Sequence, residues 1–376
     1  MAAVSTVTPH CSMLSHARGH SGSASTFKGV VRSTLSWCYL RLGLDAHSHR
    51  GGVLILMYHR VLPDGEASSP PLQPGMYVTQ SSFEQQIRYL RQNYTILSLP
   101  ELLAAWERRS LSADSRYCVL TFDDGWEDTY TRAFPILRQY RIPATIFLTT
   151  AYIGTTRWFW TDRLSYLAWQ ASRVQVSPGQ GREITAAFFS LADVLPTWLI
   201  RLFDGSREQL AGSIDVLIEA LKTLPEDRID VFLDRLAGIL DMRIPTQRAF
   251  LSWDEVSEMS RHGVTFGSHT CTHPILTRLP VSEVDQELRD SFASLRARPI
   301  TFVPVFCYPN GSYNQTIKSR VQEAGYVAAV AVNGGPERTQ PLDLFAIRRL
   351  GIHQDISRTP ALFSLHLSGL LTGRRC

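Results

Sequence analysis

The chain predicts an α/β fold of parallel strands and helices, and three observations carry that expectation. Short apolar runs of strand length alternate with segments of helical periodicity from Val53 to Ile352. Three polar residues, Asp123, His269 and Tyr308, fall at or just past the ends of predicted strands, where active-site groups collect on a β/α barrel. The 376 residues, 44% hydrophobic and 19% charged, suffice for one large barrel domain or two ordinary ones.

The elements follow in order. Residues 1–26 are rich in Ser, Gly and His without periodicity and read as a disordered tail. Residues 27–50 are expected to hold an amphipathic helix: residues 1–44 lack Asp and Glu, and Lys28, Arg32 and Arg41 accompany Trp37, Tyr39 and Leu40. That helix is expected to pack on the barrel, with attachment to a membrane surface as the second reading and a transit-like sequence as the third. Val53 to Met57 is the first core strand. Phe83, Ile87, Leu90 and Tyr94 recur at helical spacing, with Ser82 and Gln85 as a capping box. Ser98-Leu99-Pro100-Glu101 opens the next helix. Tyr117 to Phe122 is a strand, Thr129 to Tyr140 a helix interrupted at Pro135, and Ala144 to Leu148 a strand.

Residues 158–249 break this rhythm. They open on Trp158-Phe159-Trp160 and continue with helical patterns at 206–222 and 226–240, the second marked by Ile229, Phe232, Leu233 and Leu236. They read as a helical insertion or lid within a barrel spanning 51–355. Ser252 to Glu255 is another capping box, Val264 to Gly267 a strand, Val281 to Leu295 a helix, Phe302 to Tyr308 a strand and Phe345 to Ile352 the last strand. Residues 356–376 are expected to form a C-terminal helix, apolar-faced from Pro360 to Leu371.

Composition excludes several classes of function. The net charge of +4 is small, and no basic stripe is present, so no nucleic-acid partner is expected. The six cysteines form no C-x-x-C pair and read as free thiols of a reducing compartment. The longest apolar run, Val53 to Tyr58, is too short to span a bilayer. No pattern of a secretory signal opens the chain, so the expected location is cytoplasmic, at the inner face of the membrane if the terminal helices attach there.

The chemistry concentrates in Thr121-Phe122-Asp123-Asp124-Gly125 and Gly267-Ser268-His269-Thr270-Cys271-Thr272-His273-Pro274. Gly125 lets the chain turn, so both carboxylates can serve one site. His269 and His273 are one helical turn apart, but Pro274 disfavours helix at His273, so a loop is an equal expectation. A carboxylate with two imidazoles is the ligand set of a catalytic divalent metal, zinc with an open position above all. The other carboxylate is then available as a base.

These motifs resemble the polysaccharide deacetylase family, also called the NodB-homology or carbohydrate esterase family 4. The resemblance rests on Tyr58-His59-Arg60-Val61, Thr121 to Gly125, Phe134-Pro135-Ile136-Leu137, Ile142-Pro143-Ala144-Thr145, His269 to His273 and Phe306-Cys307-Tyr308-Pro309-Asn310-Gly311. It implies a distorted (β/α)7 barrel and removal of N-acetyl groups from amino sugars. It implies Asp124, His269 and His273 as metal ligands and Asp123 as catalytic base. The turn Pro309-Asn310-Gly311 matches the family's oxyanion loop, which makes the Asn310 N–H the candidate donor. Tyr308, Trp160 and Asp162 are candidates for substrate contact.

Two departures stand out. Many relatives carry an arginine, paired with the base, where this chain has Cys307; Arg349 is the candidate replacement. The family's late Leu-x-His segment corresponds to Leu350-Gly351-Ile352-His353, one residue longer, which makes His353 the candidate general acid. His59 is expected to make a structural hydrogen bond inside the barrel, with a place lining the rim as the second reading. The expected substrate is an N-acetylated sugar of a polysaccharide, lipopolysaccharide or lipid-linked glycan, with peripheral membrane contact. A different carbon–nitrogen amide hydrolase on this fold, or a silent glycan-binding protein, are the alternatives.

Overall fold

The computed structural model describes residues 36–37, 39–42, 52–65, 74–171, 178–189, 207–332 and 334–369. The tail expected over 1–26 and most of 27–50 lie outside them. The strands are β1 (Gly52–Tyr58), β2 (Arg60–Leu62), β3 (Tyr77–Thr79), β4 (Thr95–Ile96), β5 (Arg116–Phe122), β6 (Ala144–Leu148), β7 (Val264–Ser268), β8 (Phe302–Cys307), β9 (Ala328–Ala331), β10 (Glu337–Arg338), β11 (Ile347–Arg348) and β12 (Leu350–Gly351). The main sheet runs β10-β1-β5-β6-β7-β8-β9-β11, with β12 also on β1 and β4 on β5. From β1 to β11 every neighbour is parallel, and only β10 is antiparallel.

One short segment nearly closes this sheet into a barrel. Ile347 and Arg348 pair with Val330 and Ala331 of β9, while Leu350 and Gly351 pair with Leu56 and Met57 of β1. The strand expected from Phe345 to Ile352 is therefore two strands that switch partner at Arg349. That residue stands at the seam, fully buried.

The strands alternate with period two between two apolar layers. Val53, Ile55, Val119, Phe147, Val305 and Val330 form one cluster with Leu99, Leu102 and Trp106. The intervening residues Leu54, Leu56, Leu120, Phe122, Ile146 and Leu148 join a second cluster with Phe83, Ile87 and Leu90 of the surrounding helix. Each such buried Leu, Ile or Phe contributes about 1.5–3 kcal/mol. The same alternation carries Thr121, and then Asp123, into the first layer's register. Gly267 of β7 is where a side chain could not fit: a Cβ there would lie 2.5 Å from the Phe147 ring and 2.8 Å from the Val305 carbonyl oxygen.

Local signals explain several helix starts. Ser98 and Ser252 each form a full capping box, with Glu101 and Glu255. The box expected at Ser82 does not form. The helix Gln80–Asn93 starts earlier, capped by Thr79, and the buried Ser82 hydroxyl instead donates to the Arg358 carbonyl at 3.2 Å. The segment 129–140 is a π turn (Thr129–Ala133) followed by an α-helix (Phe134–Tyr140), with Pro135 in the first turn, where a missing N–H costs nothing.

The insertion contains helices Trp160–Ala171, Pro178–Phe189, Arg207–Leu221 and Glu226–Ile239. Their apolar faces meet in a core of their own around Leu164, Leu167, Ile218, Leu221, Phe232 and Leu236. Arg163 ties the first helix to the last through Asp230 (2.6 Å) and Asp234 (2.5 Å). At the two ends of the chain, Tyr39 is buried and Leu40 packs on the main core, while Trp37 and Leu42 are exposed. Phe363 and Leu367 of helix Pro360–Leu367 are buried in the main core and so are not presented to a membrane; Leu371 lies outside the described residues. Among the described residues no helix is long and apolar enough to cross a membrane.

Candidate metal centre and active site

Asp123 and Asp124 follow β5 directly. The Asp123 N–H continues the ladder, donating to the Tyr58 carbonyl at 2.9 Å, so its side chain keeps the strand's inward direction. The chain then reverses at two residues with positive φ, Asp124 (74°) and Gly125 (84°). The turn was expected at Gly125; the structure places half of it on Asp124 itself. This left-handed step brings the second carboxylate back toward the first instead of across the sheet.

His269 directly follows β7 and His273 lies in the same loop, so no helix is involved. Thr270 (φ 67°) and His273 (φ 72°) are both left-handed. That loop is pinned from beneath. Glu287 accepts from the Cys271 and Thr272 N–H groups (2.8 and 2.9 Å) and from the Thr272 hydroxyl (2.7 Å). The Thr270 hydroxyl oxygen accepts the His273 N–H at 2.9 Å. His269 Nδ1 is 2.9 Å from the Cys307 carbonyl, which requires the proton on Nδ1 and leaves Nε2 as an electron-pair donor.

Asp124 Oδ1, His269 Nε2 and His273 Nε2 therefore form a small triangle. Each nitrogen is 3.4 Å from the oxygen, and the nitrogens are 3.2 Å apart. Four ligands about 2.0–2.1 Å from a tetrahedral ion stand about 3.3 Å from one another. Asp124 Oδ2 is occupied by the Trp126 indole N–H at 2.8 Å, whereas Oδ1 is buried without a hydrogen-bond partner. A buried carboxylate oxygen left bare between two imidazole nitrogens fits a divalent cation.

The charge balance agrees. Burial by itself would raise the Asp124 carboxyl, but the neighbouring histidines hold it well below the usual carboxylate range. His273 is pushed down to about 4 by burial and by His269. His269 is drawn up despite its burial, by Cys307 and Asp124. Asp124 thus stands ionised with the Nε2 atoms of both rings directed at its bare Oδ1, the arrangement a cation would complete.

Asp123 belongs to a different network. Arg349 donates Nη1 to Oδ1 at 2.6 Å and Nη2 to Oδ2 at 2.7 Å. The same guanidinium reaches the Thr121 hydroxyl and the Cys307 sulfur, both at 3.1 Å, and lies over the Phe147 ring. Burial would raise Asp123, yet the Arg349 charge and its hydrogen bonds overcome it, and the net direction is downward. Arg349 thus meets Asp123 from the barrel seam, while Cys307 sits beside both.

The remaining candidates divide. Asn310 is exposed at the tip of the turn Pro309–Gly311, left-handed at φ 57°. The turn's own hydrogen bonds run from Gly311 to the Tyr308 carbonyl and from Ser312 to the Pro309 carbonyl, and do not consume the Asn310 N–H. Tyr308 does not offer its hydroxyl to substrate: it is buried and donates to the Phe345 carbonyl at 3.0 Å. Trp160 packs on the insertion core. Asp162, in the first turn of the same helix, is raised to about 6 by burial, with Arg60 opposing and Asp124 reinforcing.

His353 faces Asp355 (Nδ1 to Oδ1, 3.7 Å) and lies against Gly351, and no hydrogen bond joins it to Asp123 or Asp124. His59 differs from the structural role expected of it. Its ring makes no hydrogen bond among the described residues, yet the charges of Asp124, Asp123, Arg349 and His269 all act on it. The available sequence signal was its place directly after β1, on the same rim as the other motifs. Phe159 was read only as part of the opening of the insertion; its ring stacks on His273 at 4.7 Å and meets Trp126 edge-on, joining the start of the insertion to the triangle of Asp124, His269 and His273.

The polysaccharide deacetylase family profile matches residues 111–192 and 211–329, more than half of the chain. Over 89 residues the chain is 36% identical to the poly-beta-1,6-N-acetyl-D-glucosamine N-deacetylases of Staphylococcus aureus and Staphylococcus epidermidis. That match covers 23% of this chain and spans only 30% of the length of those relatives. Among solved structures, the Streptococcus pyogenes deacetylase PplD in complex with acetate is similar in fold (TM-score 0.50, 20% identity, 82% of this chain and 95% of that one). IcaB from Ammonifex degensii is similar in the same way (TM-score 0.50, 17% identity, 84% of this chain and 98% of that one).

Proposed function

The chain belongs to the polysaccharide deacetylase family, and from that premise we propose that it is a metal-dependent hydrolase removing N-acetyl groups from the amino sugars of a glycan. The observation that carries this reading is the division of labour between adjacent carboxylates. Asp124 faces two imidazole nitrogens, and Asp123 is held ionised by Arg349. A binding protein would have no use for the second arrangement.

Asp124, His269 and His273 would hold the ion, zinc by the chemistry of its donors. When bound, the ion supplies a Lewis acid that acidifies water and polarises the acetamide carbonyl. The residues of this chain do the rest. Asp123, ionised and acceptor-only, takes the proton from the attacking water, and Arg349 keeps its oxygens aligned. The Asn310 N–H stands on the rim as a donor to the oxyanion that forms as the carbonyl becomes tetrahedral. The leaving amine needs a proton. We infer that His59 gives it, since its ring makes no hydrogen bond among the described residues and both aspartates act on it against the burial that holds its pKa below the ordinary value; His353 is turned toward Asp355.

The named activity of the staphylococcal relatives supports a β-1,6-linked N-acetylglucosamine polymer as the substrate to try first. The test is acetate release, with matching appearance of free amines, from such oligomers by the zinc-loaded protein. Wild type is expected to release acetate and Asp123→Asn to lose about 10²–10⁴ of the rate. No acetate from this or other N-acetylated glycans would overturn the reading.

A further inference from the structure

We propose that Lys222, carried by the helical insertion, is a positioning residue that fixes the Asn310 turn on the oxyanion side of the active site. The inference rests on the deacetylase reading above, in which the Asn310 N–H is the oxyanion donor.

Lys222 follows directly on helix Arg207–Leu221, its N–H bonded to the Ile218 carbonyl at 2.9 Å. Its neighbours Ile218, Leu221 and Leu224 are all buried in the insertion's own core, so the lysine projects from a rigid corner of that core. Lysines ordinarily keep their ammonium in water. This side chain is only 20% exposed, and Nζ donates to Glu219 Oε1 at 2.6 Å and to Asn310 Oδ1 at 3.0 Å. Glu219 balances its charge, so what Lys222 adds at Asn310 is chiefly a fixed direction.

The turn needs such a tie at its tip. Its base is fixed: the Cys307 carbonyl meets His269 Nδ1, and Tyr308 is buried with its hydroxyl on Phe345. Its tip is exposed and left-handed, a conformation an L-residue adopts at some cost, which Asn tolerates better than most. Two side-chain bonds hold Asn310 there, Nδ2 to the Ser312 hydroxyl at 3.2 Å and Oδ1 from Lys222. The first is local to the turn; the second comes from 88 residues away and references the tip to the insertion. An oxyanion donor acts only where it stands, and misplacement by about 1 Å can cost about 10²-fold. The insertion therefore contributes to catalysis by setting the register of the oxyanion loop.

The experiment measures kcat and KM for acetate release by the full zinc-loaded chain, as wild type, Lys222→Met, Lys222→Gln and Lys222→Arg, each in wild-type and Asn310→Gly backgrounds. Glycine keeps the left-handed turn and its N–H but removes the acceptor. We expect Lys222→Met and Lys222→Gln to lower kcat by about tenfold or more with KM within about twofold, Lys222→Arg to recover most of it, and no effect of any of them in Asn310→Gly. Wild-type kcat in Lys222→Met and Lys222→Gln overturns the proposal, as does an undiminished effect in the Asn310→Gly background. A wild-type chain that releases no acetate overturns the deacetylase reading itself and this inference with it.

Discussion

Arg349 grips Asp123 end-on, two nitrogens to two oxygens at 2.6 and 2.7 Å, with both side chains buried. The grip depends on the seam of the barrel, because Arg349 is the residue at which the last strand leaves β9 and joins β1. Replacing it by Met leaves a buried carboxylate without its cation. The expected cost is about 3–5 kcal/mol of stability, read as a lower denaturant midpoint, together with loss of acetate release. Arg349→Lys should restore little, since an ammonium cannot make the paired bonds. Normal activity in Arg349→Met would show that the base needs no such partner.

The same pair fixes a pH dependence whose sign can be worked out. Burial pushes Asp123 up, Arg349 pulls it further down, and the folded pKa lies below the unfolded one. Its contribution to stability is therefore complete above the ordinary carboxylate value of about 3.9 and is lost as pH falls through the folded value. In Arg349→Met burial is opposed only by His269 and His59, so the folded pKa rises from its wild-type position and the stability that Asp123 gains from ionisation shrinks. In whatever activity survives, the acidic limb of kcat/KM should move to higher pH than in wild type. An unmoved limb would mean that Asp123 does not act as the base.

The metal site can be tested without turnover. If Asp124, His269 and His273 hold a zinc ion, zinc at 100 times its Kd should stabilise the fold by about 2.7 kcal/mol. That is read as a rise in thermal midpoint, reversed by a chelator. Asp124→Asn should abolish most of the rise, and Asp123→Asn should preserve it. Equal zinc responses in wild type and Asp124→Asn would place the ion elsewhere.

Much of this architecture was legible in the chain because its determinants are local. Period-two alternation carries Thr121 and Asp123 to the inner side of β5, and the boxes at Ser98 and Ser252 start their helices as read. What was not legible depends on distant partners. Ser82 is drawn to the Arg358 carbonyl, 276 positions along, and the cap moves to Thr79. His269 and His273 meet through a loop that Glu287 pins, where spacing alone allowed a helix. Tyr308 lies next to the turn Pro309–Gly311, but its ring belongs to the strand's outer layer and stacks on Tyr313. Trp160 satisfies the insertion's core, a demand visible only once the four helices are assembled.

The proton donor separates the readings of His59 and His353 most sharply. His353 stands at the N-cap position of helix Gln354–Ser357 with its ring toward Asp355, and its carbonyl accepts the Ser357 hydroxyl at 2.5 Å. Its substitution by Ala should leave kcat within about threefold of wild type, because general acid–base groups are worth about 10²–10⁴ and structural surface groups far less. His59 has a ring that makes no hydrogen bond among the described residues; burial lowers its pKa, the charges of Asp124 and Asp123 oppose that, and the net direction is downward. His59→Ala should lose about 10²-fold or more in kcat. It should lose much less on a substrate whose leaving amine is activated, because such a group departs without a proton. Equal losses on both substrates would assign His59 to holding the site together, and a large loss in His353→Ala would return the acid role to the later histidine.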